Sequence, residues 1–279
     1  MTGMAAAGRD PRVARSARAV VAAAAAATGV PDDPGGWAMA ADALAFLERV
    51  VGDLACDHVV ELGSGRSTLA LAGAVAPGGL VSSIENDPEA ADATRSLVRR
   101  AGLGRRSHVH LAPLVARRVD GRLLPVYLFD RDSLAPGGTP GVVLVDGPPA
   151  KLGGREGALR QALDLAGAGT VVVLDDADRA EERRSFADVV RHHRSRLDVV
   201  ATPGFRRGLA VVVAHGDIPV AFGDGRPRPP GPRTARSDGP VPAEGDRARR
   251  PGGARRPPAG TGRGAPTGAP LPSRRGERR

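Results

Sequence analysis

The sequence is almost without cysteine, lysine and aromatic side chains. Cys56 is its one cysteine, which excludes an intrachain disulfide framework and a cysteine-based zinc cluster. Lysine occurs once, at Lys151, beside 39 Arg. With so much Ala in the chain, that imbalance reads as GC-rich coding bias. Long apolar runs are missing too. The longest, Ala19 to Ala27, has nine residues and is mostly Ala, whereas a membrane span needs roughly 20 apolar residues. Arg12, Arg15 and Arg18 precede it, an arrangement that raises a signal peptide. Ala is a weak core residue for such a peptide and a strong helix former, so a surface helix is the better reading. A cytoplasmic protein with no membrane partner is expected.

The formal net charge of +9 is unevenly spread. Residues 225–279 hold 14 Arg against four acids, while residues 1–224 hold 26 basic and 27 acidic side chains. The same tail has 12 Pro and 11 Gly, and its only aliphatic residues besides Ala are Val241 and Leu271. It cannot bury enough apolar surface to offset the entropy of ordering it, so a disordered tail is expected. Its Arg residues would give non-specific contact with polyanions, but it has no aromatic residue for base stacking. The chain is therefore read as a helical lead-in over 1–36, one domain over 37–217, and a Pro/Gly/Arg-rich tail over 218–279.

Within the domain, short β-branched runs alternate with helical patterns. Strands are predicted at 58–62, 80–84, 107–111, 141–146 and 170–174, with helices between most of them. Residues 112–140 give no clear pattern beyond the apolar Tyr127-Leu128-Phe129. Two final strands, near 197–201 and 209–214, are spaced for an antiparallel hairpin. Near-continuous Val/Leu/Ile strands alternating with helices imply a mostly parallel sheet covered on both faces. The expected fold is α/β, a doubly wound sheet with a C-terminal antiparallel β-hairpin. Ligands in such sheets bind beyond the carboxyl ends of the strands.

Those ends carry a consistent set of residues. The first strand ends in Glu61-Leu62-Gly63-Ser64-Gly65-Arg66-Ser67-Thr68, and the second in Glu85-Asn86-Asp87. The fourth ends in Asp146-Gly147-Pro148-Pro149, and the fifth in Asp175-Asp176. Gly63 and Gly65 permit a tight turn and close ligand approach, and the helix that follows offers free N–H groups. The dinucleotide fingerprint fails, because Thr68 stands at its third Gly. Glu85, 20 residues after Gly65, is placed to accept hydrogen bonds from ribose hydroxyls.

Val60 to Gly65 resembles the first motif of class I S-adenosylmethionine-dependent methyltransferases, and Ser83 to Pro88 resembles their second-strand motif. Leu144 to Pro149, and Val173 to Ala177 with Arg179 and Glu182, resemble a bacterial O-methyltransferase-like branch. The resemblance covers residues 37–215 and implies a Rossmann-like seven-stranded sheet. It also implies S-adenosylmethionine as cofactor and a small-molecule acceptor methylated on oxygen. Carried over, Gly63, Ser64 and Gly65 would line the methionine part of the cofactor, Glu61 would stand near its amino group, and Ser67 would help hold the loop. Glu85 would take the ribose, with Asn86 beside the adenine. Asp146 would contact the cofactor, and Asp146 and Asp175 are the candidate catalytic residues. Residues 111–114 lack the acid or amide that the adenine pocket ordinarily takes from this position.

Three carboxylates at neighbouring strand ends repel one another unless a cation or proton is shared. Asp146, Asp175 and Asp176 are therefore also candidate ligands for a divalent ion such as Mg2+, which could lower the pKa of a bound hydroxyl. The alternative for Asp176 is a helix cap. His108 and His110 share a strand face, and His110 is a weaker candidate base. His192 and His193 read as exposed. Arg155, Arg160 and Arg179 could meet an acidic substrate but read first as solvated helix residues. Trp37 and Tyr127 could cover the substrate side. Two other functions compete: a nicotinamide-dependent oxidoreductase, and a nucleic-acid-binding protein using the basic tail.

Overall fold

The computed structural model describes residues 11–27, 39–134, 138–202 and 204–223. The expectations for Trp37 and for the tail beyond residue 223 lie outside these residues. No helix among them is long and apolar enough to cross a membrane.

The chain opens with helices α1 (Pro11–Ala27) and α2 (Ala41–Asp53), then alternates. The order is β1 (His58–Leu62), α3 (Arg66–Ala74), β2 (Leu80–Glu85), α4 (Pro88–Arg100) and β3 (Ser107–Leu111). A hairpin follows, β4 (Leu114–Val119) and β5 (Arg122–Tyr127). The alternation then resumes with β6 (Val142–Val145), α5 (Glu156–Leu165), β7 (Val171–Asp175) and α6 (Ala180–His193). β8 (Leu197–Val200), β9 (Leu209–Ala214) and the short β10 (Phe222–Gly223) end the described chain.

The main sheet has seven strands in the order β3-β2-β1-β6-β7-β9-β8. The first five are parallel, while β9 runs antiparallel to β7 and β8 antiparallel to β9. The expected terminal hairpin is therefore present, with its second strand inserted next to β7. Side chains alternate between two cores. Val59, Val142, Leu144, Val171, Val173, Val211 and Val213 pack with α1, α2 and α3. Val60, Leu62, Val143, Val145, Val172, Leu174 and Val212 pack with α5 and α6. Covering both faces removes the polar alternation of a half-exposed strand, which is why these strands read as unbroken apolar runs. The strand order reverses between β1 and β6, where a doubly wound sheet opens its ligand crevice.

The hairpin is the main departure from the sequence reading. Its turn is Asp120-Gly121, and both residues have positive φ, 47° and 82°. Such two-residue turns match the twist of paired strands. β4 and β5 form a small second sheet with β10 and lie against the outer side of α5. Gly157 sits against the Pro125 carbonyl, where any Cβ would collide. The Gln161 amide donates to the Tyr127 carbonyl at 2.8 Å and accepts from its N–H at 2.9 Å. As a result α5 is buried on nearly every side.

Arg160 is buried, contrary to its reading as a solvated residue. It is held by Asp120 at 2.6 Å, by Glu156 at 3.0 Å and by Asp188 at 3.0 Å. His193 is also buried rather than exposed, next to Asp120 and His192.

Candidate active site

The crevice at the strand-order reversal is a cavity of about 540 Å3. Its lining combines Gly63, Ser64, Glu85, Asn86 and Asp146 with Tyr127, Arg155, Asp176, Arg179 and Arg207. That volume suits a ligand of nucleoside size. A hollow of about 660 Å3 lies on the other side of Arg155, between α5 and α6, away from the glycine loop.

The floor of the cavity is tight. Asp146 N–H and Gly147 N–H both donate to the Leu62 carbonyl, at 2.9 and 2.8 Å. Gly63 has φ of 99°, and a Cβ there would stand 2.8 Å from the Gly147 nitrogen. Only glycine allows the two strand ends to meet this closely.

Glu61 does not reach the cavity. It is fully buried beneath the loop, where it accepts from the Thr68 hydroxyl at 2.5 Å and the Ser83 hydroxyl at 2.6 Å. Thr68 in turn accepts from the Gly65 N–H at 3.0 Å, closing the first turn of α3. Burial pushes the Glu61 carboxyl up to about 7, against the pull of these hydrogen bonds. Glu61 therefore braces the turn from below instead of standing at a ligand's amino group. Ser67 is buried beside it and hydrogen-bonds the Glu61 carboxyl.

Glu85 lines the cavity, and both its oxygens are engaged. One accepts from Asn86 N–H and Asp87 N–H, at 2.8 and 2.9 Å. The other accepts from Ser64 N–H at 2.9 Å and more loosely from the Ser64 hydroxyl at 3.2 Å. A ribose hydroxyl can replace that Ser64 hydroxyl, since a carboxylate accepts about four hydrogen bonds. Tyr127 lines the same cavity, and its hydroxyl is buried without a partner among the described residues.

At the far wall, Asp146, Asp175 and Asp176 converge as the sequence implied. Asp146 and Asp176 line the cavity, while Asp175 lies behind them. Burial and the charge of Asp175 raise Asp146 well above the ordinary carboxylate range, with Arg155 offsetting part of this. Burial and Asp176 raise Asp175 in the same direction.

Arg155 was the residue that sequence reasoning undervalued. Standing at the N-cap of α5, it turns inward, and its side chain is 6% exposed. Nη2 lies 2.8 Å from both Asp146 Oδ1 and Asp176 Oδ2, and Nη1 donates to the Asp175 carbonyl at 2.6 Å. Arg179 adds a second contact to Asp176, at 3.0 Å. Two of the carboxylate oxygens that a divalent ion would draw on, Asp146 Oδ1 and Asp176 Oδ2, are thus already held by a guanidinium, while Asp175 Oδ1 has no partner among the described residues. Asp176 does not cap α6, whose N-cap is Arg179. His108 and His110 do not line the cavity, which removes the case for His110 as a base. Arg207, from the turn before β9, was not singled out from the sequence, because nothing local marks that turn as reaching the strand ends.

No family model matches the sequence, and no curated protein matches it. Solved structures do. Cofactor-bound Rv0187 from MTB superposes with a TM-score of 0.50 at 24% identity, covering 72% of this chain and 90% of that one. An O-methyltransferase from Bacillus cereus in complex with SAH gives 0.48 at 20% identity, over 71% and 90%. The O-methyltransferase TomG from Streptomyces achromogenes, involved in tomaymycin synthesis and solved with SAM, gives 0.47 at 21%, over 72% and 90%. The first of these likenesses is one of fold: an α/β architecture whose seven-stranded sheet runs in the order typical of the methyltransferase fold.

Proposed function

We propose that this protein is an S-adenosylmethionine-dependent methyltransferase acting on an oxygen of a small molecule. One observation carries the reading. At the reversal of strand order, the Gly63–Gly65 loop and the Glu85 carboxylate, joined through Ser64, together line a cavity of the right size. The loop would hold the methionine part, Glu85 the ribose, and Asn86 the adenine side. The exposed Leu111, paired in register with Glu85, offers an apolar surface there.

When bound, the cofactor supplies an already electrophilic methyl group. The protein must align the acceptor and take its proton. Asp146 is placed for this. Of the three clustered acids its side chain is the most open, at 20% exposure, and it lines the cavity. Its raised pKa makes it a stronger base than an ordinary carboxylate once ionised. Arg155 holds one of its oxygens, and the Asp175 carboxyl lies within hydrogen-bonding reach of the group. Tyr127, Arg179 and Arg207 form the remaining polar wall against which an acceptor would be oriented.

Calorimetric titration with S-adenosylmethionine, S-adenosylhomocysteine and NAD tests the cofactor. Binding of the first two without NAD is expected; NAD alone would sink the reading. Thr68 already argues against a dinucleotide, because its buried hydroxyl fills the place where the fingerprint needs glycine. A metabolite screen with labelled S-adenosylmethionine would identify the acceptor.

A further inference from the structure

Three carboxylates gathered at two adjacent strand ends repel one another unless a cation or a proton is shared among them. Here the ligand oxygens of Asp146, Asp175 and Asp176 lie within 4.8 Å of one another. The cation is part of the chain. A single nitrogen of Arg155, Nη2, stands 2.8 Å from one oxygen of Asp146 and 2.8 Å from one of Asp176. The other terminal nitrogen is spent on the Asp175 carbonyl. The Asp176 side chain is 5% exposed, so this contact is shielded from water and salt. A guanidinium does not lose its proton in a protein, so the charge is permanent.

The geometry leaves a metal two obstacles. Mg2+ requires near-octahedral oxygen ligation at about 2.0–2.1 Å. An ion placed on Asp146 Oδ1 and Asp176 Oδ2 would have to displace Nη2 from the spot between them. Displacing the guanidinium costs it both ion pairs and the Nη1 bond to the Asp175 carbonyl, and leaves a like charge in the neighbourhood of the ion. Arg179, 3.0 Å from the same Asp176, adds to the repulsion.

We propose that Arg155 is the built-in counter-ion of this site, occupying the place of a divalent metal and holding Asp146 toward the cavity, so that the site works without Mg2+ or a related ion. The cation part stands on the cluster alone. The part concerning catalysis rests on the methyltransferase reading. Arg155 is then a positioning residue, acting through Asp146.

Mn2+ is the probe, because free Mn2+ is counted directly by its paramagnetic resonance. The full chain, with and without saturating S-adenosylhomocysteine, is expected to bind no stoichiometric Mn2+ below millimolar concentration. One Mn2+ bound below that concentration, and lost in Asp176→Asn, would overturn the proposal. Arg155→Met vacates the position. If the variant folds by circular dichroism, it is expected to bind Mn2+ at least tenfold more tightly than the wild type. Affinity no better than wild type in the folded variant would also overturn the proposal. If the variant does not fold, the wild-type titration decides by itself. Calorimetry with S-adenosylhomocysteine on the same samples separates the two readings: failure to bind it removes the methyltransferase assignment and leaves the Mn2+ count standing.

Discussion

Glu61 and Gly65 do not touch, yet Thr68 joins them: its hydroxyl donates to the Glu61 carboxylate at 2.5 Å and accepts from the Gly65 N–H at 3.0 Å. A buried carboxylate thereby fixes the curvature of a loop that must stay open to a ligand. Thr68→Val keeps the shape and removes both bonds. It should cost about 1–3 kcal/mol, since it strands a buried acceptor and a donor. Urea denaturation reads the loss, and calorimetry should show weaker S-adenosylhomocysteine binding. Thr68→Ser should restore both.

Glu61 also gives the fold a pH dependence of unusual sign. Its carboxyl is raised from 4.5 to about 7 in the folded chain. The native state therefore holds this proton more tightly than the unfolded state between those values. The associated stability is complete below pH 4.5, declines as pH rises toward 7, and is flat above. The change is at most roughly 3 kcal/mol. Denaturation of wild type and Glu61→Gln from pH 5 to 8 isolates it. The difference in stability between the two should change across that range in favour of Glu61→Gln.

On the ligand side, Glu85→Gln should weaken S-adenosylhomocysteine binding by tenfold or more, because a charged acceptor of ribose hydroxyls is replaced by a neutral one. Gly63→Ala should act differently. Its methyl group would meet the Gly147 backbone at a positive φ, costing about 2–4 kcal/mol of stability. The first variant should unfold near the wild-type midpoint, and the second well below it.

Arg160 makes a contrasting case, since its ion pairs serve the fold and not the cavity. Arg160→Ala leaves the carboxylates of Asp120 and Glu156, each 9% exposed, without their shared partner. Losing one side of a buried pair costs about 3–5 kcal/mol. The folded fraction should bind S-adenosylhomocysteine with unchanged affinity, which a titration in stabilising osmolyte would check.

The strand ends were legible in the sequence because doubly covered strands show as Val/Leu/Ile runs, and the acids and glycines that stop them stand out. Glu61, Glu85, Asp146, Asp175 and Asp176 were all found in this way. The hairpin of β4 and β5 was not, although Asp120-Gly121 is a strong turn signal. Its strands carry Arg117, Arg118 and Pro125, which blur the alternation. That omission propagated. Without the hairpin, the outer side of α5 appears to face water, so Arg160 reads as solvated and Arg155 as one more helix charge. Arg155 was also hidden because its partners come from two other strand ends, a relation no local pattern can display.

The helix α5 is gripped by two buried arginines, one at its N-cap and one within it. Arg155 clamps the ends of β6 and β7, and Arg160 clamps the hairpin turn at Asp120. Five residues of helix put them about 7.5 Å apart along the axis. Gly157 lies between them, pressed against the hairpin backbone. One short helical segment thus joins the hairpin turn to the carboxylates, so a substitution at the turn is expected to be felt at the carboxylates.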